Sequence, residues 1–279
     1  IILLLEDGNI DEALAVVAIA ASNFGFAYST SYTQSANSTA DFINSTLDVL
    51  ISFDQTNTSA VDEMRANQLR LVTNFTQGQI EATKSALLQG VEAGLNPRQQ
   101  ALLFRQSIGL TENQITWVMN YRRLLEEGSK DVFDRVLRDR RFDSTILNAI
   151  NNDEPLSSKQ IDRIVERYRE RVLIYRSETI ARTESLSAVH QGVDNMYFQA
   201  IDSGVLDETN MQQTWHTSPP EKRIRDSHKS MDGQVRKMGE AFESGAGNYL
   251  RYPGDPEAPV AERVDCRCMK TTRFKVLTG

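Results

Sequence analysis

The sequence predicts a mainly α protein, with long amphipathic helices followed by a small, loop-rich α+β module at the C-terminal end. Two observations predict it. Up to about Ala200, apolar residues recur every three or four positions over long stretches, the spacing that lines one face of a helix. Beyond Gly204 that period fades, Pro, Gly, Thr and Asp become frequent, and only short alternating runs remain. The expected organisation is a helical N-terminal region over residues 1–156, a long connecting helix over 157–204, and the module over 205–279.

Asp11 to Phe26, rich in Ala, Val and Ile, reads as the first helix. Tyr28 to Thr39, rich in Ser, Thr and Asn, reads as a connector, and a second helix is expected from about Thr39 to Ile51. After a polar stretch, Val61, Met64, Leu69, Val72, Ile80, Leu87 and Val91 mark a long helix ending before Gly94. Pro97 suits the start of a short helix to Ser107. Thr111 with Gln114 has the capping-box arrangement and opens a helix carrying Ile115, Val118, Met119 and Tyr121 toward a core. Helices are expected from Lys130 to Asp139 and from Ser144 to Ile150. Ser157 with Gln160 repeats the box and opens the longest helix, Lys159 to Ala200, whose stripe includes Ile161, Ile164, Tyr168, Val172, Tyr175, Ile180, Leu186, Val189, Val193 and Tyr197. Such length is unusual, and Gly192 is where a bend or break is expected. Gln212 to Thr217 and Met269 to Val276 alternate as short strands do.

The 279 residues are 40% hydrophobic and 25% charged, which excludes a wholly disordered chain. The net charge of -7 excludes a generally basic nucleic-acid binder. The acidity sits early, with 5 basic and 12 acidic residues up to Asn120. Tyr121 to Glu184 holds 14 basic and 13 acidic residues, read as solvated helical faces. Weak DNA contact would need a face from Arg135 to Arg141 or Arg163 to Arg176, where acids interleave almost one for one. The apolar run Ala13 to Ala21 is too short to span a bilayer, and no basic segment precedes it as in a signal peptide. No membrane-spanning segment is expected. A first residue of Ile suggests numbering that begins inside a longer product, with an amphipathic start that packs on another subunit. Two cysteines, Cys266 and Cys268, make no disulfide framework.

A set of short motifs fills the last third. Thr179-Ile180-Ala181-Arg182-Thr183-Glu184 lies on the long helix, followed by Trp215-His216-Thr217, Arg225-Asp226-Ser227-His228 and Met231-Asp232-Gly233-Gln234. Tyr252-Pro253-Gly254-Asp255-Pro256 and Asp265-Cys266-Arg267-Cys268 complete it. In order and spacing these pieces resemble the phage Mu protein F-like family of head morphogenesis proteins, over roughly Thr179 to Thr272. That family carries Asn where this chain has Asp265. The resemblance implies a minor head protein of a tailed bacteriophage, working in head assembly and in the fate or delivery of packaged DNA. It implies a place in the phage head, with the host cytoplasm during assembly, and a portal protein and other capsid proteins as partners. The amphipathic N-terminus could also dock on copies of itself.

Cys-x-Cys on an extended segment puts both side chains on one face, and thiolates with imidazoles are zinc ligands. His216, His228, Cys266 and Cys268 are therefore the candidate set for a structural zinc tying the module's ends together. A thiol pair with His228 bonded to Asp232, or a strained disulfide, stays open beside it. Arg182, Glu184, Asp226, Asp232, Gly233, Tyr252, Pro253 and Asp255 are expected as polar ties and turns, and Trp215 as the module's core anchor. No enzymatic activity is expected. The competing reading is a hydrolytic or toxin-associated enzyme module centred on His228 and Asp232. Toxin-like domains accompany some family members, and none is expected after the cysteine pair here.

Overall fold

A computed structural model of the chain describes residues 10–58, 60, 62, 63, 66, 109–217 and 224–275. It is mainly helical with a small antiparallel region at the C-terminal end, as the sequence predicts. The residues fall into two compact units, one within Ile1–Ala21 and Val72–Glu178, the other within Ser22–Leu71 and Thr179–Gly279. The helices expected between Val61 and Ser107 lie largely outside the described residues.

In the first unit, α2 (Glu112–Glu126) opens on the expected capping box: Thr111 accepts from the Gln114 N–H, and the Gln114 side chain accepts from the Thr111 N–H. α3 (Asp143–Asn151) and the first part of α4 (Ser158–Asp202) complete its packing. α4 opens on the second box, with the Ser157 N–H 2.9 Å from Gln160 Oε1. Ile115, Val118, Tyr121, Leu124, Ile146, Ile164, Val165 and Tyr168 form the core, and Tyr121 stacks on Tyr168 with centroids 4.2 Å apart. Burying each such side chain contributes about 1.5–3 kcal/mol before entropy is counted. Met119, Tyr175 and Val189, expected in apolar stripes, lie instead on exposed faces.

The helix expected from Lys130 to Asp139 is only a 3₁₀ turn over Lys130–Asp134, with a second over Arg140–Phe142. Val132 alone is buried in the first of these, while Val136 is exposed, so no apolar stripe rewards a full helix. Local side-chain bonds win instead: Ser129 caps the Asp131 N–H, and Asp139 accepts from Arg141 N–H at 3.1 Å.

α1 (Ile10–Leu47) runs without interruption through the expected connector, and from Ser22 onward it belongs to the second unit. The Ser/Thr composition hides a helical stripe, for Tyr28, Tyr32, Ala36, Ala40 and Ile43 recur at helical spacing and are all buried. They pack with Ala188, Met196, Tyr197 and Ala200 of α4, together with Met211 and Met238. Thr39 and Ser35 satisfy their hydroxyls on the carbonyls of Ser35 and Tyr32 one turn back. α4 continues unbroken through Gly192. A Cβ there would collide with the Tyr32 carbonyl and the Ser35 hydroxyl, so glycine is what lets the two helices approach. α4 ends on Gly204, whose positive φ of 75° closes the helix while Val205 N–H reaches back to the Ala200 carbonyl.

The module that follows contains β1 (Met211–His216), α5 (Asp226–Lys229), β2 (Val235–Lys237), β3 (Phe242–Glu243), β4 (Tyr249–Leu250), α6 (Val260–Arg263) and β5 (Met269–Phe274). β1 is the centre of an antiparallel sheet in the order β2-β1-β5, with Trp215 opposite Lys270, and β3 pairs with β4. Alternation on β1 turns Met211, Gln213 and Trp215 inward. Trp215 is fully buried and, with Met231, Phe242, Leu250, Cys266 and Cys268, makes a separate small core. Among the described residues, no helix is long and apolar enough to cross a membrane.

Candidate metal centre

Each motif has a local reason for its shape. Met231-Asp232-Gly233-Gln234 is a turn strapped to the end of β1: the Gly233 N–H donates to the Trp215 carbonyl at 2.9 Å, and the Trp215 N–H to the Gln234 carbonyl at 3.0 Å. Gly233 takes φ +75°, which glycine adopts without strain. Asp232 fixes the other side by accepting the Thr217 N–H at 2.7 Å, and that bond draws its carboxyl below the ordinary range. In the loop from Tyr252, Asp255 is buried and accepts from the Arg251 backbone at 2.9 Å, the Arg251 guanidinium at 2.6 Å and the Glu257 N–H at 3.0 Å. Pro253 lies beside the turn that the Asp255 N–H closes on the Tyr252 carbonyl. Gly254, at φ +82°, lies so close to Ser187 of α4 that a Cβ would sit 3.2 Å from its amide nitrogen.

The Arg182-Thr183 pair on α4 holds the segment that leads into the cysteines. Arg182 forms an ion pair with Asp265, and the Thr183 hydroxyl accepts the Asp265 N–H at 3.0 Å. Asp265 sits at φ +56°, a left-handed conformation that Asp and Asn tolerate better than other side chains. Asp265 therefore keeps a backbone that Asn would also take, and adds a charge for Arg182 to pair with. Glu184, one residue on, is half-buried on the same helix.

The turn brings Cys266 and Cys268 against His228 of α5. The Nδ1 of His228 lies 3.6 Å from Cys266 Sγ and 3.4 Å from Cys268 Sγ. All three residues are at most 3% exposed, and their donor atoms lie within 4.8 Å of one another. Both cysteines are free thiols. Cys266 is drawn down to about 5, first by the hydrogen bond from Cys268 and against burial, with His228 helping. Cys268 is pushed up by that same bond and by burial, while the Trp215 indole and Arg225 pull the other way. This is a His/Cys/Cys group that could hold a metal ion.

His216 stands apart from it. Its Nε2 lies 2.8 Å from the Thr271 hydroxyl on the neighbouring strand, because alternation along β1 turns it away from the face of Trp215. The Cys₂His₂ set expected from the sequence is thus a three-residue group. Nor does His228 bond Asp232, whose carboxylate goes to Thr217. Asp226 is almost fully exposed and paired with Lys229 at 2.7 Å, outside the group.

Two features escaped the sequence reading. The first is Glu262 of α6, 3% exposed, whose Oε2 lies 3.0 Å from His228 Nε2. The contact is close but off the line of a well-aligned hydrogen bond. Glu262 also accepts from Ser227 at 2.8 Å and from Ser244 and Asn248 at 3.0 Å each. Burial would raise its carboxyl, but these bonds and His228 outweigh it and hold the group below the usual range. A buried ring beside two buried thiols needs an orienting partner, but nothing in the local sequence marks Glu262 as that partner. The second is the ion pair of Asp194 on α4 with Lys270 on β5, Nζ lying 2.6 Å from each carboxylate oxygen. Burial pushes Asp194 up and Lys270 down, each partly restored by the other. His190 and Tyr252 stack beside it. Asp194 also lines a polar cavity of about 320 Å³ with Glu63, Asn195, Arg251 and Tyr252.

Comparison with known proteins adds a family match over part of the chain. Residues 148–271 match the family described as phage Mu protein F like protein. An uncharacterized protein of Bacillus subtilis (strain 168), YqbB, is 24% identical over 231 residues, which is 80% of this chain and 66% of that protein. The chain thus spans about two thirds of the length of this relative. No solved structure matches.

Proposed function

We propose, from the premise that residues 148–271 form a phage Mu protein F-like module, that this chain is a minor head protein of a tailed bacteriophage. The family is one of phage head morphogenesis. The match over the module is the observation that carries the reading. The geometry supports it from a second side. Arg182, Asp232, Gly233 and Asp255 act as ties and turns of a small module, not as groups facing an open cleft.

In this role the chain lies inside the head near the portal vertex and contacts the portal protein, other capsid proteins or further copies of itself. It works in assembly and in the fate or delivery of packaged DNA, with weak DNA contact in the filled head. It passes through the host cytoplasm while heads assemble. His228, Cys266 and Cys268 hold a structural zinc ion that ties α5 to the segment before β5. The placing experiment is a reconstruction of intact particles together with a pulldown on the portal protein. Density or capture at the portal is expected, and a chain found only free of particles would overturn the assignment. Elemental analysis of the purified protein checks the zinc: about one ion per chain is expected, and no stoichiometric metal would remove it.

A further inference from the structure

We infer that Glu262 is the positioning carboxylate of the metal centre, holding the proton of His228 on Nε2 so that the Nδ1 lone pair is left for the metal. This rests on the reading of His228, Cys266 and Cys268 as metal ligands.

Three observations support it. First, the spacing around Nδ1 suits a shared ion. Zinc bonds of about 2.3 Å to sulfur and about 2.0–2.1 Å to nitrogen, at tetrahedral angles, put the nitrogen and each sulfur roughly 3.6 Å apart. The observed separations are 3.6 and 3.4 Å. The ring already presents Nδ1, and not Nε2, to both sulfurs.

Second, the opposite ring nitrogen faces an acceptor that is fixed in place. Ser227 comes from α5, while Ser244 and Asn248 flank the turn between β3 and β4. Ser244 and Asn248 fill Oε1, and Ser227 takes one side of Oε2, which leaves the other side of Oε2 for His228 Nε2. An ionised carboxylate only accepts, so its contact with Nε2 is favourable when that nitrogen carries the hydrogen. The neutral ring then has its bare lone pair on Nδ1. A carboxylate behind a ligating imidazole is the usual way in which a metal site fixes tautomer and ring orientation.

Third, the sulfurs lie in a closed core. Trp215, fully buried, packs in the same small core as Cys266 and Cys268 and carries its indole N–H there without a partner among the described residues. Burial of the whole group leaves it closed to substrates, in keeping with a structural ion.

The test uses the full chain, reduced, with cobalt(II) alone as the probe and zinc as competitor. Wild-type protein should develop thiolate-to-cobalt charge-transfer bands and the visible bands of four-coordinate cobalt, lost on adding zinc. Glu262→Gln turns an amide toward Nε2 and favours the tautomer with a hydrogen on Nδ1. Its cobalt affinity should fall about 10- to 100-fold, with the circular dichroism of the unloaded protein unchanged, while His216→Gln keeps wild-type affinity. Wild-type affinity in Glu262→Gln would overturn the role of Glu262 and leave the metal site standing. No cobalt bands in the wild type would overturn both. Nitrogen-15 spectra of wild-type His228 answer the same question if the variant does not fold. Hydrogen on Nε2 with the metal on Nδ1 is expected, and the reverse would overturn the proposal.

Discussion

Removing one partner of the Asp194–Lys270 pair should damage the second unit far more than removing both. At 2.6 Å and an effective dielectric constant of about 20, two unit charges attract by roughly 6 kcal/mol. Desolvation costs several kcal/mol per ion, and both side chains are largely withdrawn from water, Lys270 at 1% exposure. The two quantities nearly cancel, which agrees with burial driving Asp194 up and Lys270 down even in each other's presence. Lys270→Met leaves the Asp194 carboxylate buried with its main partner gone, so a loss of about 3–5 kcal/mol is expected. Asp194→Leu strands the ammonium and should cost a similar amount. The double variant removes the attraction and both desolvation terms, and should fall within about 2 kcal/mol of wild type on either side. Urea unfolding of all four proteins, followed by Trp fluorescence and circular dichroism, completes the cycle. Single variants costing less than about 1 kcal/mol, or a double variant costing the sum of the two, would refute the reasoning.

Further outcomes follow from other contacts. Gly192→Ala gains up to about 1 kcal/mol of helix propensity but forces α1 off the Tyr32 carbonyl, so a net loss of about 1–3 kcal/mol is expected in the same unfolding assay. His190, held down to about 3 first by burial and then by Lys270, stays neutral in the folded protein while the unfolded chain binds a proton near pH 6.5. Its contribution is therefore complete above pH 6.5 and is lost as the pH falls toward 3. Wild-type stability should drop more steeply across that window than that of His190→Gln, by up to about 1.4 kcal/mol per pH unit. Asp265→Asn gives up a half-exposed ion pair and keeps the left-handed backbone, so its stability should stay within about 1 kcal/mol of wild type. Asp265→Val places a β-branched side chain at φ +56° and should lose clearly more in parallel melts.

What the sequence revealed, and what it hid, divides along the range of the interactions. The capping boxes at Thr111 and Ser157 need only neighbours three residues away, and both form as read. The strands around Trp215 and Lys270 follow from local alternation. The connector from Tyr28 to Thr39 was misread because Ser, Thr and Asn were weighed by composition, while the Tyr and Ala residues on a helical period went uncounted. Tyr32 and Ser35 of that stretch approach Gly192, which lies far along the chain. Of the His/Cys/Cys group that could hold a metal, Cys266, Cys268 and His228 are legible from residue type and spacing. His216 was drawn in by chemistry alone, since its orientation depends on the register of β1. Glu262 and the pairing of Asp194 with Lys270 had no local signal, because each acquires its meaning from a partner brought in by the sheet and the turns.

The close crossing at Gly192 also sets a schedule for synthesis. Tyr32 leaves the ribosome 160 residues ahead of Gly192, the position that admits it. At about 5–20 residues per second, the Tyr32–Ala36 stripe waits on the order of ten to thirty seconds before its partner exists. The unit cannot close until Lys270 has followed. Throughout that interval a nascent α1 offers an apolar strip to chaperones and to the same strip on neighbouring polysomes. The yield of this chain is thus exposed to translation speed and crowding in a way that a late-acting ion pair, formed once the unit has closed, cannot repair.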